Sequence, residues 1–170
     1  MKQMRDLFDV RGFLTLFDAK MGPQGLTRGK ILHADKNIIT TVGRQRVAQL
    51  ITGLSTDFVN QMAIGDGGAP QGDLLVPIVP VLADTALAHE LRRTNVVNPG
   101  VIGQVLTFTA TFLTASLTPI DFISPLNQVI NEAGLFCVDN ALFARKTFPS
   151  VPFSPGDRVG VIAEWSIEVL

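Results

Sequence analysis

Two stretches of this 170-residue chain alternate apolar and polar side chains with a period of two, a rhythm that suits half-buried strands. Leu106, Phe108, Ala110 and Phe112 alternate with Thr107, Thr109 and Thr111. Val159, Val161, Ala163, Trp165, Ile167 and Val169 alternate with Arg158, Gly160, Ile162, Glu164, Ser166 and Glu168. Strands of this kind favour an antiparallel sheet with one packed face. Further strand signals lie at Gly12–Ala19, which turns at Met21–Gly25, at Gly29–Ala34 and Asn37–Thr41 around Asp35-Lys36, and at Phe58–Ile64. One helix is expected from Val42 to Leu54, with Val47, Leu50, Ile51 and Leu54 as its packing stripe. Ser154-Pro-Gly-Asp157 supplies a turn before the last strand. The pattern predicts a mainly β chain: an antiparallel β-sandwich with one or two short helices packed at its edge. Residues 12–170 read as a single domain, preceded at 1–11 by an arm or a short helix.

Apolar residues make up 46% of the chain and charged residues only 17%. A membrane span does not explain this. The most apolar stretch, Leu74 to Ala83, is broken by Pro77 and Pro80 and falls short of the ~20 apolar residues a spanning helix needs. Fourteen Lys and Arg against 15 Asp and Glu give no bulk attraction to nucleic acid or an anionic membrane. A single cysteine, Cys137, rules out an internal disulfide and fits a reducing compartment. The surplus of apolar surface is best accounted for by burial against other subunits. The loop 69–83 is too long and too apolar for a plain connector. Leu74, Leu75, Val76, Ile78 and Val79 in it, with Met4, Leu7 and Phe8 near the N-terminus, are the expected subunit contacts.

Candidate chemistry is sparse. Gly65-Asp-Gly-Gly68 lacks the Gly-Lys-Ser/Thr that a phosphate-binding P-loop requires, and a proline-rich loop follows where a dinucleotide site needs a helix. It reads as a turn. His89-Glu90 lacks the second histidine of a zinc protease motif, and Cys137, His33 and His89 are too few for a Cys/His zinc site. His89 is expected to be exposed or hydrogen-bonded on a helix surface. Asp84 should N-cap that helix, with Leu87 and Leu91 facing inward and Glu90 and Arg93 forming an i,i+3 ion pair. Glu132 should receive backbone amides at a turn where Gly134 takes a conformation closed to other residues. A glycosidase would need a second carboxylate, for which Asp121 and Asp139 are the available residues. No Gly-x-Ser-x-Gly occurs, and Cys137 reads as a buried, inert thiol. The expectation is no catalytic, cofactor-binding or metal-binding residue, hence no enzyme and no cofactor. Eleven Phe, one Trp and no Tyr also disfavour a sugar-binding tip.

Three segments occur in order: Met62-Ala-Ile-Gly-Asp-Gly-Gly68, Asp84-Thr-Ala-Leu-Ala-His-Glu-Leu-Arg-Arg93, and Ile130-Asn-Glu-Ala-Gly-Leu-Phe136 followed by Ala141-Leu-Phe-Ala-Arg145. Their succession resembles tailed-bacteriophage virion proteins, in particular the tail-collar and tail-fibre attachment family, over residues 37–170. In that family a strand ending in IGxG precedes DTxLxxExxR, and IxEAGLF then LxAR precede a final strand. The resemblance makes Gly65, Asp66, Gly67, Asp84, Glu90, Arg93, Glu132 and Gly134 scaffold positions rather than binding residues. It implies a virion structural protein, assembled in the host bacterial cytoplasm as a homo-oligomer, a trimer or hexamer. Its partners would be copies of itself and other virion proteins, without nucleic acid or membrane. The place implied is tail, collar or baseplate, anchoring or forming part of a fibre. The alternative is a cement protein on the capsid. The chain departs from fibre proteins in having no repetitive shaft.

Overall fold

The computed structural model describes residues 9–170, apart from Pro125, Pro155 and Asp157 and the side chain of Asn98. Met4, Leu7 and Phe8 lie outside the described residues. Nine strands run in chain order: β1 (Val10–Gly22), β2 (Gly25–Ile39), β3 (Val59–Gly65), β4 (Glu90–Asn95), β5 (Val97–Ile102), β6 (Val105–Leu113), β7 (Val129–Cys137), β8 (Leu142–Pro152) and β9 (Gly160–Val169). One helix, α1 (Thr41–Ile51), follows β2, and short 3-10 turns stand at Thr114–Ser116 and Pro119–Asp121.

The strands form one antiparallel sheet in the order β4-β3-β7-β8-β2-β1-β9-β6-β5, curled into a half-barrel. This corrects the expected sandwich. The two layers foreseen from the sequence are two arms of one sheet, joined by β2. That strand pairs with β1 from Gly25 to Asn37 and with β8 only through Ile38 and Ile39. Asp35-Lys36, which looks like a break in the sequence, lies inside this continuous strand. Register shifts in β1–β2, β3–β4 and β7–β8 mark bulges, which add local bend and twist. The curl brings the two ends of the sheet together in sequence, since β4 and β5 are separated only by Val96.

The concave side holds the core. Leu14, Leu16, Phe112 and Trp165 come from one arm and Met62, Ile64, Leu135 and Phe148 from the other. Both alternating runs bury the face expected to pack, except that Val159 is exposed and Gly160 and Ile162, on the opposite face of β9, are buried as well. Phe108, Ala110 and Phe112 are buried in β6, and Val161, Ala163, Trp165 and Ile167 in β9. β1 opens at Val10, inside the stretch assigned to the arm, and its hairpin turn falls at Pro23-Gln24. Of the turn before β9, Gly156 has φ 102°.

The helix is shorter than expected and packs differently. The Thr40 hydroxyl accepts from the Gly43 amide at 3.0 Å and donates to the Leu142 carbonyl at 2.6 Å, fixing the helix start on β8. Gly43 is the only buried helical residue; a Cβ there would strike the Phe143 backbone. Leu50, Ile51 and Leu54 are exposed rather than packed as a stripe. With Val47, Phe58 and Pro99, Leu50 and Ile51 border an apolar recess of about 460 Å³ at one end of the half-barrel.

The expected helix at 84–93 is absent. Residues 84–89 are irregular and Glu90–Asn95 is a strand. The amides of Ala88 and His89, which a helix would give to carbonyls of its preceding turn, go to the Glu132 carboxylate. Glu90 and Arg93 do pair, at 2.6 Å, but across a bulge: Ile64 faces Arg92 and Gly65 faces Glu90, leaving Leu91 as the extra residue. Gly134 is not at a turn either. It lies mid-strand in β7, where a Cβ would come within 2.9 Å of Leu142 Cδ1 and 3.0 Å of Leu87 Cδ2. The hairpin turn after β7 instead places Asn140 at φ 65°, a conformation asparagine tolerates.

Candidate functional site

β7 is buried on both faces. Ala133, Leu135 and Cys137 join the main core, while Phe136 belongs to a second small cluster with Ala63, Leu87 and Leu142. What covers this second face is the chain from Asp66 to His89, which crosses the outside of β3, β7 and β8. At the centre of the crossing sits Glu132, with 0% exposure.

Glu132 is saturated with donors. Oε1 accepts from the Gly67 amide at 3.2 Å and the His89 amide at 2.8 Å. Oε2 accepts from the Ala88 amide at 3.0 Å and from Arg145 Nη2 at 2.7 Å. Arg145 Nη1 reaches Asp84 at 2.8 Å. Burial alone would disfavour the Arg145 charge, but the bonds to Glu132 and Asp84 outweigh it and hold the guanidinium pKa above its ordinary value. Beside it, Asn131 Oδ1 takes the Gly68 amide at 2.6 Å. Asp66 contacts His89 Nδ1 at 2.5 Å and accepts from the Ile123 amide at 2.7 Å.

The three segments singled out in the sequence therefore meet at one carboxylate. Gly67 and Gly68 lack side chains where the chain passes closest: a Cβ on Gly67 would meet His89 N at 2.5 Å, and one on Gly68 would meet the Asn131 backbone. Asp66, Gly67, Asp84 and Glu132 come together here. Gly65 packs against the Glu132 side chain, and Gly134 makes room for Leu87 and Leu142. Glu90 and Arg93 stand apart, with the Arg93 guanidinium 3.6 Å over the Phe136 ring. Arg145 was missed as a site residue. Its signal was present at the end of the LxAR segment, and pairing of Gly134 with Arg145 brings it diagonal to Glu132.

The carboxylate at the centre of this cluster is engaged within the chain. Both oxygens of Glu132 are occupied and none is open to solvent. The carboxylates considered as glycosidase partners are engaged elsewhere: Asp139 with Arg46, and Asp121 with the Thr118 amide and hydroxyl. Those Thr118 bonds hold the Asp121 carboxyl below its ordinary pKa. The Cys137 thiol is buried and its pKa is pushed up to about 11 by desolvation, which keeps it out of nucleophilic chemistry near neutral pH. Among the described residues, no group of three His, Cys, Asp or Glu side chains is placed to hold a metal ion, and no helix is long and apolar enough to cross a membrane.

The chain matches no protein-family model, no curated protein and no solved structure.

The other marked surface rides on the same crossing segment. Leu75, Val76, Ile78, Val79, Val81 and Leu82 are exposed, Val79 at 81%, while Leu74 is half-buried. Their backbone is nevertheless held. Ser150 N donates to Leu74 O at 3.0 Å, Ile78 N to Gly68 O at 2.8 Å, and Thr147 Oγ1 to Ile78 O at 2.7 Å. Thr41 N, at the start of α1, donates to Leu82 O at 2.8 Å. The result is an apolar ridge on a fixed backbone.

Proposed function

We propose that this chain is a structural component of a tailed-phage virion: a homo-oligomeric tail, collar or baseplate piece that anchors or forms part of a fibre. The observation that carries the reading is the ridge from Leu74 to Leu82. A flexible loop could tuck such residues away, but this one is tied down at Leu74, Ile78 and Leu82 with its side chains outward. Exposed apolar area of this kind fits a contact with another subunit. A pre-fixed backbone also lowers the entropy lost when that contact forms. The order of the three segments adds support, because all three serve the one cluster that fixes the ridge.

The mechanism is static. Apolar burial holds a symmetric ring or trimer of copies, joined to sister virion proteins, and no step turns over a substrate. Labelling the protein with antibody or a tag in intact particles tests the assignment. Signal at the tail, collar or baseplate is the expected outcome. Signal over the head would replace it with the capsid-cement reading, and particles without label would remove the virion role altogether.

A further inference from the structure

We propose that residues 66–89 form a single strap, stapled at both ends by Glu132 and released from the sheet as one piece. One carboxylate holds Gly67 at the beginning of the segment and Ala88 and His89 at its end; through Arg145 it also holds Asp84. Displacing or neutralising the Glu132 carboxylate therefore removes an acceptor from both ends at once. The ends of the strap are coupled through a shared atom, Oε1, rather than through a chain of packed residues.

Beyond the Glu132 network the strap is held by separate single hydrogen bonds, at Asp66 to the Ile123 amide, Gly68 to Asn131, Leu74 to Ser150, Ile78 to Thr147 and Leu82 to Thr41, and by few apolar contacts. Ala69 and Leu87 are its buried apolar side chains, and between Gly72 and Val79 the chain is tied mainly through Leu74 and Ile78. Few buried apolar contacts place a segment at the low end of the local stability range. The sheet beneath keeps its own ladders: β7 pairs with β3 and β8 along its length, and its core face packs on the concave side. Opening the strap therefore costs less than unfolding the domain. It uncovers Phe136 and Leu142 and frees the ridge from Leu74 to Leu82. The coupled release stands on the Glu132 geometry alone and does not depend on the virion reading.

Peptide-resolved hydrogen exchange on the full chain tests this. In the wild-type protein the amides of Gly67 and Gly68 and those of Ala88 and His89 should exchange by one shared opening, with the same urea dependence, before β6 and β9 open. Glu132→Gln should speed both groups by a common factor of roughly ten to a hundred, as expected on weakening one charge-assisted network, with β6 and β9 unchanged. Leu87→Ala should likewise speed both ends together. Acceleration at one end only, or by clearly different factors, would overturn the proposal. If Glu132→Gln does not fold, the wild-type urea series decides: separate isotherms for the two ends, or exchange of both only through global unfolding, contradict a one-piece strap.

Discussion

Arg145→Ala is expected to lower the unfolding free energy by about 3–5 kcal/mol, because it leaves a buried carboxylate without its cation. Glu132 has no exposed surface and Arg145 very little, so water cannot replace the lost guanidinium without the strap opening. Asp84 loses its cationic partner in the same step and keeps the Val81 amide. The three backbone amides on Glu132 remain and soften the loss, but they carry no net charge. A peripheral pair gives the control. Lys146 bonds to Asp35 at 2.6 Å, yet Asp35 is more than half exposed, and Lys146→Ala should cost less than about 1 kcal/mol. Urea unfolding followed by circular dichroism measures both. Equal effects from the two substitutions would show that the Glu132 cluster is no more than a surface ion pair.

Trp165→Ala is the other large effect, expected at about 3–5 kcal/mol for removal of a buried aromatic side chain. Trp165 has 0% exposure and stands in β9 between Leu14 on β1 and Phe108 on β6, on the concave face. The cost comes from lost apolar burial and from the cavity left behind, not from polar bonds. Its indole N–H has no hydrogen-bond partner among the described residues. Trp165→Phe, which keeps a ring and deletes an unsatisfied donor, should therefore cost much less than Trp165→Ala. Thermal and urea unfolding by circular dichroism distinguish the two; similar losses would mean that the indole N–H carries energy after all.

The strands with a clean alternation were legible because one face of each packs on the core while the other does not. β6 keeps the alternation at Phe108, Ala110 and Phe112, and β9 keeps it from Ala163 to Ile167, whereas Gly160 and Ile162 on the other face of β9 are buried too and Val159 is exposed. β2 was not legible, because much of it is exposed on both faces and Asp35-Lys36 interrupts any apolar rhythm. Missing that continuity split one curled sheet into two layers. β7 hid for the opposite reason. Both its faces are covered, so Asn131, Glu132 and Gly134 look like turn residues although they lie in a strand. The segment 84–93 has helical spacing, but a distant carboxylate takes its amides and a partner strand takes its second half. Such tertiary contacts leave no trace in local periodicity. The ridge was visible as a run of Leu, Val and Ile between prolines. That its backbone is fixed could not be read without Thr147, Ser150 and Thr41, which lie far away in sequence.

We propose that another subunit covers the ridge from Leu74 to Leu82, and the mass of the native protein in solution tests this most directly. Sedimentation at micromolar concentration should give one defined oligomer, a trimer or hexamer. Leu75→Ser with Ile78→Ser should shift it toward monomer while circular dichroism and the unfolding midpoint stay close to wild type. A wild-type chain that remains monomeric at high micromolar concentration, or a double variant that keeps the full oligomer, would contradict it.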